Sequence, residues 1–361
     1  MKMFSTSSIL LLSVVLGAGA GVIATAFTLN LLSDYSVSIA APDSIDLSGE
    51  RPRPEPGSYN QSVETVRQKT AAAAVEIFTA PSDATGVFEP GHGVASGFFI
   101  TSDGWLIAAP YAHYFSSTEA DKATILAGGK LYPVQKVIND PNDSLIFLKI
   151  DITNASVVSF GNPLMLEPGD NLFVTAAADE ILASSFFRFV RIGSLSLPVE
   201  TISRRLELNT AVDSRFAGAA VANSSGEVVG ILSADQFGET KTVLPFTAIK
   251  PVIYSLLKEG KIISLWFGAT ATDLSQAIGY DETYTRGYTK GALLGTITKG
   301  SPAETAGLLH GDIILSVGGL EISEKQSLDE LLTDYHVGDT LNLIIDRDGT
   351  SAKIDLVLGS R

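Results

Sequence analysis

The chain is constrained above all by its punctuation. From Ser96 to Ile249 short apolar runs alternate with turn signals: "SGFFITSDGWLIAA", "ATILAGGKLYPVQKVIND", "SLIFLKID", "NLFVTAA", "FVRIGSLSL", "RRLELNTAV", "GEVVGILSA" and "KTVLPFTAI". Runs of this length, bounded by Gly, Asp, Asn or Ser, suit strands and are too short for most helices. "SDGW" and "AGGK" carry the dipeptides of tight hairpins. Strands at regular spacing, with little helix between them, predict an all-β barrel or sandwich. "VETVRQKTAAAAVEIF" predicts a helical turn that runs into the first strand. "TAIKPVIYSLLKEGKI" has helical spacing and closes the region, with Ile249, Val252, Ile253, Leu256 and Leu257 on one face.

From about Ile262 the pattern changes. "GSPAETAGLLHGDIILSVGG" holds a Ser-Pro helix start, glycine stops and a buried strand. "SEKQSLDELLTDY" predicts a capped amphipathic helix with Leu328, Leu331 and Leu332 on one side. "GDTLNLIIDRDGTSAKIDLVL" reads as strand, Asp-Gly turn and strand. A separate small α+β domain is expected here.

The N-terminus is of another kind. Ile9 to Leu32, "ILLLSVVLGAGAGVIATAFTLNLL", contains no charge. At about 1.5 Å per residue it spans a hydrocarbon layer of roughly 30 Å. Lys2 precedes it, and Asp34, Asp43, Asp46 and Glu50 follow. The expectation is a transmembrane signal anchor over 9–32, with a short cytoplasmic stretch at 1–8 and the bulk of the chain outside. A cleaved signal peptide is the competing reading. Residues 33–62, with "APDSIDLSGERPRPEPGSYNQ", read as an extended linker poor in apolar residues.

Composition excludes some chemistry. The chain has 361 residues, no cysteine and a formal net charge of −15. No disulfide, thiolate nucleophile or cysteine-based zinc site is open to it. The acidic balance argues against nucleic acid as a partner. His92, His113, His310 and His336 are scattered and form no HExxH pair, so neither metal nor cofactor is expected.

The combination resembles the HtrA family: a membrane anchor or signal, a linker, a chymotrypsin-like double β-barrel (63–260) and a C-terminal PDZ domain (261–361). The closest likeness lies in "GALLGTITKGSPAETAGLLHGDIILSVGGLEI" and "VGDTLNLIIDRDG". The barrel part matches in its framework, at "SGFFITSDGWLI", "NDPNDSLIFLKI" and "NSSGEVVGI".

The resemblance implies a Ser-His-Asp triad, in which His accepts the serine proton and Asp holds the His. Counting along the family's pattern places Tyr111 at the His position, Ser144 at the Asp position and Ala217 at the Ser position. The loop the family writes as "PGNSGGP" reads "SRFAGAA" here, from Ser214 to Ala220, and keeps only Gly218 among its glycines. No catalytic residue is therefore expected. His113, Asp143 and Ser214 stand nearby in the family's order and make a fallback triad. They are displaced by different amounts, and an odd shift along a strand reverses the side chain's face.

The resemblance leaves the PDZ part as the working surface. Such domains add a peptide as a strand at a sheet edge and hold its carboxylate with backbone N–H groups. "LWFGAT" occupies the carboxylate-loop position. The expected peptide-binding residues are Trp266, Phe267, Gly268, Ala269 and Thr270, with Leu328, Leu331 and Leu332 on the facing helix. The expected partners are protein C-termini or extended peptides, with the membrane reached through the N-terminal helix. By resemblance, a homotrimer built near "VFEPGHG" or a mixed oligomer with an active homologue is the assembly to look for. The expectation is an anchored, non-catalytic adaptor or sensor in extracytoplasmic protein quality control. The alternatives are an active serine endopeptidase using His113, Asp143 and Ser214, and a holdase-like chaperone.

Overall fold

A computed structural model describes residues 59–79, 86–109, 120–140, 145–177, 180–191, 196–233, 240–324 and 326–360. The predicted anchor and most of the predicted linker lie outside them. Among the described residues no helix is long and apolar enough to cross a membrane.

The described chain opens with helix α1 (Tyr59–Thr70), which begins within the stretch read as linker. It leads through a 3-10 turn into strand β1 (Ala74–Phe78). Strands β2 (Ala95–Phe99), β3 (Trp105–Ala108), β4 (Thr124–Ala127), β5 (Lys130–Asn139) and β6 (Ile146–Ile150) follow. These six close into a barrel in the order β1-β2-β3-β6-β5-β4. Its inside is apolar: Val75, Ile77, Phe99, Leu106, Ile125 and Leu148 are all buried. Burying such side chains is the main favourable contribution, about 1.5–3 kcal/mol each.

A second closed barrel uses β7 (Asn171–Thr175), β8 (Ile181–Arg191), β10 (Arg204–Val212), β11 (Ala220–Asn223), β12 (Val228–Ser233) and β13 (Thr240–Pro245), in the order β10-β13-β12-β11-β7-β8. Its core includes Leu172, Phe186, Leu206, Val221, Val229 and Val243. Between β8 and β10 the chain makes a two-residue strand, β9 (Leu197–Pro198), which joins neither barrel. The predicted β-barrel class is therefore observed, as two barrels.

Helix α2 (Phe246–Glu259) closes the barrel part. Ile249 and Leu256 are buried, but Leu257 is 43 % exposed, which corrects the predicted face. Ser255, not Leu257, is the buried neighbour of Leu256, so the buried stripe lies one residue further toward the N-terminus than predicted.

The C-terminal part builds β14 (Leu265–Trp266), β15 (Ala269–Asp273), helix α3 (Glu282–Thr285), β16 (Ala292–Ile297), helix α4 (Pro302–Thr305), β17 (Ile313–Val317), β18 (Leu320–Glu321), helix α5 (Leu328–Leu331), β19 (Thr340–Arg347), β20 (Thr350–Val357) and β21 (Gly359–Ser360). The main sheet runs β20-β19-β17-β16-β15-β9, with β18 paired to β17. The Asp-Gly turn predicted between the last long strands is present, with an unbroken β19–β20 register from Thr340↔Val357 to Arg347↔Thr350.

Two expectations change here. The helix predicted across "SEKQSLDELLTDY" is a single α-turn, Leu328–Leu331, continued by a 3-10 turn over Leu332–Asp334. Its start is as predicted: Ser327 and Glu330 form a reciprocal capping box. The C-terminal part is also not self-contained, because β9 of the barrel region is a strand of its sheet.

Candidate functional site

Two places bear on the expected functions: the loop at Ala217 and the surroundings of β15.

Loop residues Ser214–Phe216 form a 3-10 turn capped by Asp213, whose side chain accepts the Arg215 N–H. Each backbone N–H that follows has an internal acceptor. Arg215 donates to Asp213 Oδ1 at 3.0 Å. Phe216 donates to Asp213 O at 3.0 Å, Ala217 to Ser214 O at 2.9 Å, Gly218 to Leu232 O at 2.8 Å and Ala219 to Phe216 O at 2.8 Å. An oxyanion hole needs backbone donors aimed at the space where charge develops. Here all five consecutive donors are engaged, Gly218 by Leu232 of β12 and the other four within the loop.

The loop is fastened to β2. Ser96 N–H donates to Ala217 O at 2.9 Å, and Ser96 Oγ donates to Arg215 O at 3.0 Å. Gly218 has φ +91°, and a Cβ there would overlap the Ser96 carbonyl and come within 2.9 Å of the Ala109 nitrogen. Only glycine tolerates both demands, which gives a packing reason for the one glycine this loop keeps. Arg215 is held by Glu180 at 3.2 Å and by the Gly91 carbonyl at 3.3 Å, with its guanidinium 4.5 Å from the Phe216 ring centre. Gly91 belongs to the "VFEPGHG" segment, which buried Glu76 also grips through the N–H groups of Gly91 and Gly93.

Ala217 is completely buried, so its methyl group faces packed protein and has no acid–base chemistry. Ser214 is half-buried at the start of the turn, and its carbonyl accepts the Ala217 N–H. Tyr111, His113, Asp143 and Ser144 lie outside the described residues. Among the described residues no cluster of three or more His, Asp or Glu is placed to hold a metal.

The second place is built from the residues expected to bind peptide. Trp266 is in β14, paired with β21, and Ala269 and Thr270 begin β15. Between them Gly268 has φ +86°, and a Cβ there would overlap the Ser301 side chain, within 2.7 Å of its Oγ. Phe267, Ala269, Leu328, Leu331 and Leu332 are all buried in one apolar cluster. Five of the residues expected to bind peptide thus lie together in the core of the C-terminal part, each with 4 % or less of its surface exposed.

The expected open edge is occupied. β9 pairs antiparallel with β15, Pro198 opposite Thr270 and Leu197 opposite Ala271. Val199 is 3 % exposed and belongs to the same apolar cluster. Sequence reasoning placed Leu197 at the end of the run "FVRIGSLSL" and missed Pro198 and Val199, because a two-residue strand containing proline carries no periodic signal.

Charged groups flank this junction. Arg191 meets Asp273 at 2.7 Å, and Ser203 N–H donates to Asp329 at 3.2 Å. Arg204 reaches both oxygens of Glu330 at 3.1 and 3.0 Å, and its guanidinium lies 4.0 Å from the Phe189 ring centre. Burial pushes the Glu330 carboxyl above its ordinary value, with Arg204 opposing the shift.

Comparison with known proteins agrees with this architecture. Residues 95–231 match the trypsin-like peptidase domain, and residues 272–358 match the PDZ domain. The chain is 25 % identical over 274 residues to a probable periplasmic serine endoprotease DegP-like of Marinomonas sp. (strain MWYL1), covering 74 % of this chain and 57 % of that protein. It is 26 % identical over 293 residues to the serine protease Do-like HtrA of Lactobacillus helveticus, covering 75 % and 68 % respectively. The chain spans about 56–57 % of the length of the first DegP-like relatives it matches. Among solved structures, the HtrA-type protease AlgW with tripeptide aligns with a TM-score of 0.60 at 19 % identity, over 83 % of this chain and 97 % of that one. AlgW with decapeptide gives 0.56 at 19 %, over 83 % and 98 %. At this identity the structural likeness establishes the fold alone.

Proposed function

Since the chain belongs to the HtrA family, with a trypsin-like domain and a C-terminal PDZ domain, we propose that it is a non-catalytic member. In this reading it binds protein C-termini or extended segments through the groove between β15 and α5.

The observation that carries the reading is the loop at Ala217. Counting along the family's pattern puts a methyl group, that of Ala217, at the nucleophile's position, and the N–H groups of residues 215–219 are all engaged within the fold. Acyl transfer needs an activated nucleophile and donors ready for the oxyanion. Removing a complete triad from a working protease costs on the order of a millionfold in turnover.

The groove supports the binding half. Phe267, Ala269, Leu328 and Leu331 make an apolar core beneath the proposed site, and Gly268 gives the backbone close approach at the loop where a carboxylate would be held. The solved AlgW relatives were obtained with a decapeptide and a tripeptide. Peptide binding by this chain is an inference from its groove and from that likeness. The expected setting is outside the cytoplasmic membrane, since the relatives are named periplasmic, with the apolar segment 9–32 as anchor.

The test uses one preparation for two readouts. Incubation with casein should leave the casein intact. A peptide with a free C-terminal carboxylate should bind, and its C-terminal amide should bind at least tenfold more weakly. Casein cleavage sinks the non-catalytic reading, and equal affinity for acid and amide sinks the carboxylate-holding groove.

A further inference from the structure

We propose that the outer edge of β20 receives residues 51–56 of a second copy of this chain, Arg-Pro-Arg-Pro-Glu-Pro, as an added strand. This edge lies at the opposite end of the main sheet from β15, so the inference is independent of the carboxylate-holding reading.

β20 ends the sheet, and among the described residues no strand pairs with its outer side. Its neighbour fixes the direction of its backbone groups. The Asn342 carbonyl accepts the Gly318 N–H at 2.9 Å, so it points toward the β17 side. Asn342 and Asp355 are therefore a non-hydrogen-bonded pair, and the N–H and C=O of Asp355 point outward. The register from Thr340↔Val357 to Arg347↔Thr350 is unbroken, so Ser351, Lys353 and Val357 point outward as well. At one end this edge is already taken. Leu358 turns its N–H inward to Asp339 O, and Gly359, next along, pairs with Trp266 of β14. Beyond Trp266 a groove of about 430 Å³ opens, with Asp355 and Val357 on one side and Pro302 and Ala306 of the α4 region on the other. Val357 is 57 % exposed.

The linker's alternate prolines fit this edge. In residues 51–56 only Arg51, Arg53 and Glu55 carry a backbone N–H. Such a strand can pair on one side only, as an added edge strand does. Laid antiparallel to β20, it sets Arg53 opposite Asp355, Glu55 opposite Lys353 and Arg51 opposite Val357. Asp355 and Lys353 are both exposed, and each meets an opposite charge. Asp355 has an oxygen to spare, since Asn342 Nδ2 binds only its Oδ1, at 2.6 Å. A slip of two residues would set Arg53 against Lys353. The prolines fall on the face that carries Leu356 and Leu358, where Pro302 lines the groove.

The chain's own linker does not reach. Gly57 and Ser58 alone separate Pro56 from Tyr59, a span of at most about 11 Å. Helix α1 packs outside β7 and β11, through Val66, Phe173 and Ala222. The C-terminal part is held at β10, through Arg204 and Glu330. In the closed order β10-β13-β12-β11-β7-β8, β11 stands opposite β10. Opposite walls of a packed barrel lie about 10 Å apart. α1 and the C-terminal part are each a further layer outside, so the strand comes from another copy.

The test is fluorescence anisotropy, with the full chain titrated into a fluorescein-labelled peptide of residues 49–58. The peptide is amidated at its C-terminus, which leaves the loop at Gly268 no carboxylate to hold. Binding is expected. Exchanging Arg53 and Glu55 keeps the peptide's composition and net charge and should weaken binding at least fivefold. N-methylation of the Arg53 amide, which removes one strand bond, should do the same. The double variant Lys353→Asp, Asp355→Lys should prefer the exchanged peptide at least fivefold. No binding of the native peptide, or affinity indifferent to the exchange in both proteins, overturns the proposal. The source is tested separately, since the chain has no cysteine. Arg53→Cys and Asp355→Cys are made in separate copies, which are mixed under oxidation. Mass spectrometry should find a disulfide joining position 53 of one copy to position 355 of the other. A bond that forms only when both substitutions are in one chain overturns the second copy as the source.

Discussion

The carbonyl oxygen of Ser96 lies so close to the α-carbon of Gly218 that no Cβ fits between them. With the Ser96 N–H held by Ala217 and its hydroxyl by Arg215, one residue of the first barrel fixes the loop of the second. Gly218→Ala must strain a φ of +91° and push against backbone. We expect a loss of about 2 kcal/mol or more. Thermal unfolding of wild type and variant checks this, and an unchanged midpoint contradicts it.

Restoring the serine should not restore the enzyme. Ala217→Ser supplies a hydroxyl, but the N–H groups of residues 215–219 stay engaged in the turn and its neighbours. Casein incubated with the variant should remain intact over the same period as with wild type, followed by gel or mass spectrometry.

The framework was legible in the sequence because it is local. Short apolar runs between turn signals marked the barrels, and the Asp348–Gly349 turn marked the last hairpin. The assignment of Ala217 to the serine position rests on spacing along the chain, which is also local. The junction was not legible. Leu197 pairs with Ala271 across the barrel–PDZ boundary, and nothing in the composition of either partner specifies the pairing. The shortness of α5 was hidden for a related reason. "SLDELL" has a cap and apolar spacing, but the return to a 3-10 turn at Leu332 is settled by tertiary packing.

The Glu330 carboxyl gives the junction a pH signature. Its pKa is raised in the folded chain, first by burial, so the folded state binds this proton more tightly than the unfolded state. Its contribution to stability is fully present below the ordinary carboxylate range and is lost as pH rises through the raised value. The stability of wild type minus that of Glu330→Gln should therefore fall as pH increases from about 4 upward. Denaturant titrations at a series of pH values measure it; a difference that grows with pH contradicts the assignment.

Gly268 lies in the loop proposed to hold a peptide carboxylate. A Cβ there would meet Ser301 and oppose a φ of +86°, so Gly268→Ala should distort the loop between β14 and β15. Affinity for a carboxylate-terminated peptide should fall at least tenfold, while the two barrels keep their unfolding transition. Calorimetric titration and thermal unfolding of the same sample separate the two effects.

The central claim is that this trypsin-like fold does not perform acyl transfer. A fluorophosphonate probe reacts with activated serines and needs no knowledge of substrate. Incubated with the wild-type chain and read by mass spectrometry, it should label no serine. A label on Ser214 that disappears in Ser214→Ala would contradict the account and restore the His113–Asp143–Ser214 reading.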